Sequence, residues 1–120
     1  MVIGSLMGFI AVAGGAFGAH ALETRIAADM LAVFDTGTRY LMFQATALLL
    51  VGVLSTRPGA PSYNTVGWLF TIGTLIFTGS LWALAISGVR TLGAITPFGG
   101  LCLLAGWVAL GLLTARLAQP

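Results

Sequence analysis

The chain has 120 residues, of which 58% are apolar and only 7% charged, with no lysine and a net charge of +2. A water-soluble domain carries about a quarter charged residues, so this composition excludes a soluble monomer. The positive balance comes from five arginines scattered along the chain, with no basic block of the kind that would make nucleic acid an expected partner.

About twenty apolar residues suffice to cross a bilayer, and four runs divide the chain accordingly. The first, residues 2–22, contains no charge. Its end, Ala19-His20-Ala21, resembles a signal-peptide cleavage site. No Lys or Arg precedes the run, however, and it is longer than the usual signal core, so a retained helix is expected. Residues 23–37 change character. Ile26, Met30, Val33, Phe34 and Gly37 share one helical face, while Glu23, Arg25, Asp29 and Asp35 lie mainly elsewhere. That pattern predicts a short amphipathic interfacial helix. The second span covers residues 39–55, short enough that its helix could start nearer Asp29. Asp35 and Arg39 are spaced i, i+4 with the acid first, the better order for a helical ion pair.

Arg57, Pro58, Gly59, Pro61 and Asn64 make residues 56–64 a loop. The third span, residues 65–87, has Trp68 near its start and Trp82 near its end, as tryptophans at the two interfaces would be. Gly88-Val89-Arg90 is a tight connection. The fourth span covers residues 92–117, with Thr96 as a cap and Pro97 in the first turn, where a missing N–H costs little. The expected fold is an all-α membrane protein: a four-transmembrane-helix bundle forming a single domain, residues 1–120. An even number of spans puts both termini on one side.

Small residues fill the spans. The first contains Gly4 and Gly8, then Gly14 and Gly18, and the row Ala11, Gly15, Ala19; the third has Gly79, Ala83 and Ser87. The fourth has Gly99 and Gly100, then Cys102 with Gly106, and Gly111 with Ala115. Burying leucine against leucine gains nothing in lipid, so such rows serve close helix approach. Packing within one bundle is the first expectation, and use of one row as an oligomer face the second. Cys102, the lone cysteine, is expected to be a small packing residue.

Polar residues gather toward one end: His20, Glu23, Arg25, Asp29, Asp35, Arg39, Tyr40, Gln44, Arg90 and Thr96. They form either a cap at headgroup level or a site. A hydrogen-bonded interfacial histidine is the plainer expectation for His20. Proton handling with Glu23 is the alternative, and axial ligation of a pigment or haem is weaker still. Arg39 is expected to snorkel or pair with an acid, and Gln44 to bond a neighbouring helix. The sequence has no metal-ligand motif, nucleotide loop or nucleophile–base spacing, so no cofactor, metal or catalytic residue is expected.

Three segments then carry a resemblance: Gly15-Ala16-Phe17-Gly18-Ala19-His20, Phe34-Asp35-Thr36-Gly37-Thr38-Arg39-Tyr40, and Ile95-Thr96-Pro97-Phe98-Gly99-Gly100 continuing to Ala105-Gly106-Trp107. Phe77-Thr78-Gly79-Ser80-Leu81-Trp82 supports them. Together they resemble the small four-helix membrane proteins grouped as domain of unknown function 423, which has bacterial inner-membrane members and a eukaryotic transmembrane relative. The resemblance covers nearly the whole chain. It implies a four-span bundle in the bacterial cytoplasmic (inner) membrane with both termini in the cytoplasm, and no activity. Relatives often carry histidine where this chain has Gln44. The leading expectation is a non-enzymatic accessory, assembly or scaffolding subunit that packs against other membrane subunits or its own copies in the lipid bilayer. A small transporter or proton-linked channel through the polar cap is the alternative, and a pigment- or lipid-binding subunit a weaker one.

Overall fold

The computed structural model describes residues 1–117. Its four long helices are α1 (Val2–Phe17), α2 (Ala28–Leu54), α3 (Asn64–Ser87) and α4 (Thr96–Leu117). A π turn, Gly18–Leu22, prolongs α1, and a 3₁₀ turn, Arg90–Ala94, leads into α4. Each helix, counted with its extension, is long and apolar enough to cross a membrane. Hydrocarbon offers backbone groups no water, so a spanning segment must satisfy its own N–H and C=O groups, which a helix does.

Local chemistry sets the ends. α3 stops at Gly88, whose φ of 72° is left-handed and whose N–H donates to the Leu84 carbonyl. Glycine has no Cβ to oppose that conformation. Pro58 and Pro61 interrupt the helix between α2 and α3.

Each helix packs on its neighbour in the chain: α1 on α2, α2 on α3, α3 on α4. α2 and α3 are central, with 44% of each one's most apolar stretch buried, against 28% for α1 and 22% for α4. The core runs through Met7, Ala11, Leu41, Leu48, Val66, Phe70, Leu103 and Leu110. Glycine sets the seams. A Cβ on Gly99 would lie 2.5 Å from the Phe77 nitrogen and 2.8 Å from the Gly73 oxygen, so α3 and α4 meet backbone to backbone. A Cβ on Gly4 would lie 3.0 Å from the Ala45 oxygen, which makes the α1–α2 contact nearly as close.

Two local expectations are corrected. The amphipathic segment does not form an interfacial helix of its own. Residues 23–27 turn the chain, and α2 runs without a break from Ala28, so the second helix takes the earlier start near Asp29 and is longer than residues 39–55. The physical reason is that Phe34 and Gly37, placed on the apolar face of that segment, are buried against the bundle rather than laid on a membrane surface. Thr96 opens α4 instead of standing before it, and its hydroxyl lies 2.6 Å from the Ser80 hydroxyl, linking α4 to α3.

Candidate functional site

The polar residues at the turn end do not converge. His20 sits exposed in the π turn, and Glu23 and Arg25 are exposed in the turn after it. Among the described residues the ion pair formed is Arg90 with Asp29, at 3.6 Å, between side chains that are 80% and 62% exposed. A pair so open contributes little. It ties the start of α2 to the 3₁₀ turn. Asp35 and Arg39 are exposed and make no ion pair with each other, although their spacing allows one. They line a shallow recess between α1 and α2 together with Gly15 and Thr38. Tyr40 and Gln44 belong to a different groove, beside α3 and α4. No group of three or more His, Cys, Asp or Glu side chains that could hold a metal forms among the described residues.

The best-organised polar contact lies inside the bundle, around Trp82. Its ring stacks on Phe34, with centroids 4.9 Å apart and planes 11° apart. Its Nε1–H donates to the Phe34 carbonyl at 3.2 Å and to the Thr38 hydroxyl at 3.1 Å. Thr38 donates in turn to the Phe34 carbonyl at 3.0 Å, and Thr78 donates to the Gly37 carbonyl at 3.0 Å. Two glycines make room for the indole. A Cβ on Gly14 would fall 2.7 Å from the ring, and one on Gly37 would fall 3.0 Å from it. Trp82, near the end of its span, thus has its indole turned into the bundle rather than outward. It is the pin joining α3 to α1 and α2. Trp68, by contrast, is 61% exposed near the opposite end.

Gln44 has the opposite surroundings. It is 2% exposed on α2, yet its Oε1 has no hydrogen-bond partner. The neighbouring-helix bond expected of it is not made. The amide lines a groove of about 280 Å³ between α2, α3 and α4. Tyr40 and Phe77 form one aromatic pair on this groove, with centroids 4.6 Å apart, and Phe43 and Trp107 another, 5.5 Å apart. A second crevice, of about 400 Å³, opens at the other end of α1, where the buried Tyr63 hydroxyl also lacks a partner. Sequence reasoning did not single out Tyr63, because a loop tyrosine shows no sign of burial in the sequence.

The small residues divide into used and unused. Gly14 and Gly18 lie against Trp82 and Phe34, and Gly106 against Phe70, each with a would-be Cβ at 3.0 Å or less. Gly8, Gly15 and Gly100 have ordinary contacts, the nearest at 3.6–3.9 Å. Gly79 is exposed with nothing near it in the chain, as is Gly111. Ala19 is exposed, whereas Ala11 is buried. Cys102 is half-buried, beside Gly73.

The family model described as protein of unknown function (DUF423) matches residues 14–100. That interval contains both halves of the Trp82 contact and Gln44. A UPF0382 membrane protein of Staphylococcus saprophyticus is 40% identical over 98% of this chain and 97% of its own length. One from Staphylococcus epidermidis is 39% identical over 98% and 96%. UPF0382 membrane protein YwdK of Bacillus subtilis is 39% identical over 90% of this chain and 89% of its own. No solved structure matches.

Proposed function

The chain belongs to the family of small bacterial membrane proteins called DUF423, and on that premise we propose that it works by packing, as a non-enzymatic accessory or assembly subunit that docks on other membrane helices. The observation that carries this reading is the outer face of α3. Gly79, Ala83 and Ser87 follow one another at intervals of four residues, all exposed, and a Cβ on Gly79 would meet nothing within 4 Å. Glycine lowers helix stability by about 1 kcal/mol relative to alanine, and here no contact within the chain requires it. A row of small residues open to lipid suits the close approach of another helix.

Transport is the other reading that the sequence left open. It needs polar groups converging on a path, whereas His20, Glu23, Asp35 and Arg39 are exposed and the core contains the buried Phe70 and Val66.

The test is the double variant Gly79→Leu, Ala83→Leu, purified in mild detergent beside the parent and compared by native mass and chemical cross-linking. The variant should fold with unchanged melting and lose the associated chains of the parent. A parent that is monomeric in membranes, or a variant that keeps its associates, refutes docking through this face. The accompanying topology, with both termini in the cytoplasm, predicts activity from a cytoplasm-only reporter fused after Pro120. A silent reporter on a stably expressed fusion reverses the orientation.

A further inference from the structure

The Gln44 groove combines two features that point to a ligand. The first is the amide. Its side chain is 2% exposed, its Oε1 is unpartnered, and it lines the groove. A buried polar group without a hydrogen bond is costly, and more so where water is scarce. The second is the pair of aromatic contacts, Tyr40 with Phe77 and Phe43 with Trp107, contributed by three different helices. Aromatic faces favour offset or tilted contact with another ring.

Size, depth and charge narrow the chemistry. A cavity of about 150 Å³ admits a benzene molecule, so about 280 Å³ suits one substituted ring or two fused rings. Gln44 lies past the middle of the 27-residue α2, well inside the apolar stretch. No charged side chain lines the groove, so an ionic lipid headgroup would be left without a counter-charge at that depth. Phe43 is 58% exposed, which leaves the opening on the lipid side. An amide offers both a carbonyl acceptor and two N–H donors, so it can meet a ring oxygen as either carbonyl or hydroxyl.

We propose that the groove between α2, α3 and α4 binds an uncharged, membrane-soluble ring compound bearing an oxygen at its edge, the quinone–quinol class, with Gln44 bonding that oxygen and the two aromatic pairs holding the ring. The site lies apart from the Gly79 row, and neither reading depends on the other. Gly100 also lines the groove, and a Cβ there would make only ordinary contact, at 3.9 Å from the Phe77 ring. A longer side chain at that position would extend into the groove.

The test uses menadione as the probe and tryptophan fluorescence as the readout, with the full chain in detergent. Quinones quench indole emission on contact, and Trp107 lies on the groove while Trp68 and Trp82 do not. The parent should show saturable quenching, and Trp107→Phe should lose the saturable part. Menadione has carbonyls and no hydroxyl, so it would accept from the Gln44 N–H. Gln44→Met keeps the shape without that donor and should need at least about tenfold more menadione, the equivalent of one hydrogen bond of about 1.4 kcal/mol. Gly100→Leu, which leaves Gln44 in place, should abolish saturation. Non-saturable quenching that is the same in the parent, Gln44→Met and Gly100→Leu overturns the proposal. So does a photo-cross-linker at Phe43 that captures a second helix over Gln44 in native membranes, because the occupant is then protein.

Discussion

Trp82 and Gln44 each bring a polar tip into an apolar bundle, and the fold treats them in opposite ways. Around Trp82 the chain spends two glycines, a threonine and a helix carbonyl to seal the indole and satisfy its N–H. Around Gln44 it supplies aromatic walls, a groove open to lipid and no partner for the amide oxygen. A polar group in hydrocarbon that is fully satisfied makes a specific joint between helices, whereas one left without a partner is costly. The contrast sets a closed polar joint between α1, α2 and α3 against the groove between α2, α3 and α4 where we propose that a ligand binds.

The contrast breaks most visibly at the indole itself. Trp82→Ala removes the stack on Phe34 and both hydrogen bonds at once. Large-to-small changes of this kind cost about 3–5 kcal/mol, so this variant should show the largest drop in melting temperature in detergent. Gly14→Ala comes next. Its new methyl would stand 2.7 Å from the ring, and overpacking costs about 1–3 kcal/mol. If melting is unchanged, α1 moves freely against α3 and the joint is not tight. Thr38→Val keeps the shape but removes one acceptor, while the Phe34 carbonyl still receives the indole N–H. Interhelical hydrogen bonds in membranes average about 0.6 kcal/mol, so a small but resolvable drop is expected. Gln44→Met sits at the bottom of the order. Replacing an unpartnered buried amide with an apolar side chain of similar length should be close to neutral or stabilising. A large loss of stability there would show that the amide is bonded within the chain, and the contrast would collapse.

The two sites were unequally legible in the sequence. Gly14, Trp82 and Gln44 all stood out as residues; Gly14 packs between helices as its small-residue row suggested, while Trp82 and Gln44 have surroundings that the sequence did not show. Trp82 was expected at an interface because it lies near the end of its span. Its inward orientation follows from which face of α3 turns toward Gly14 and Gly37, a rotation that the sequence of α3 does not encode alone. Gln44 was expected to bond a neighbouring helix, yet the side chains facing it from α3 and α4 are Phe77, Leu103 and Trp107, which offer the carbonyl oxygen no well-placed donor. The Asp35–Arg39 spacing permitted an ion pair, but both side chains are exposed and their geometry does not close it, while Asp29 and Arg90, far apart in sequence, do pair.

The sequence by itself determined that the chain lives in a membrane, that it is helical, and that it crosses four times. Those properties depend on local quantities: the length of apolar runs, the scarcity of charge, and the prolines and glycines between runs. Each is summed along the chain without reference to distant residues, and hydrocarbon permits few other ways of satisfying the backbone. Only the tertiary structure decided which small-residue rows are closed, as at Gly99 against Phe77 and Gly14 against Trp82, and which are left open, as at Gly79. In a soluble protein the apolar face of a helix points to the core, so periodicity would have answered that question. Here lipid and core are equally apolar, every face of a span reads alike, and the rotation of each helix is set by the packing of specific shapes across the seams.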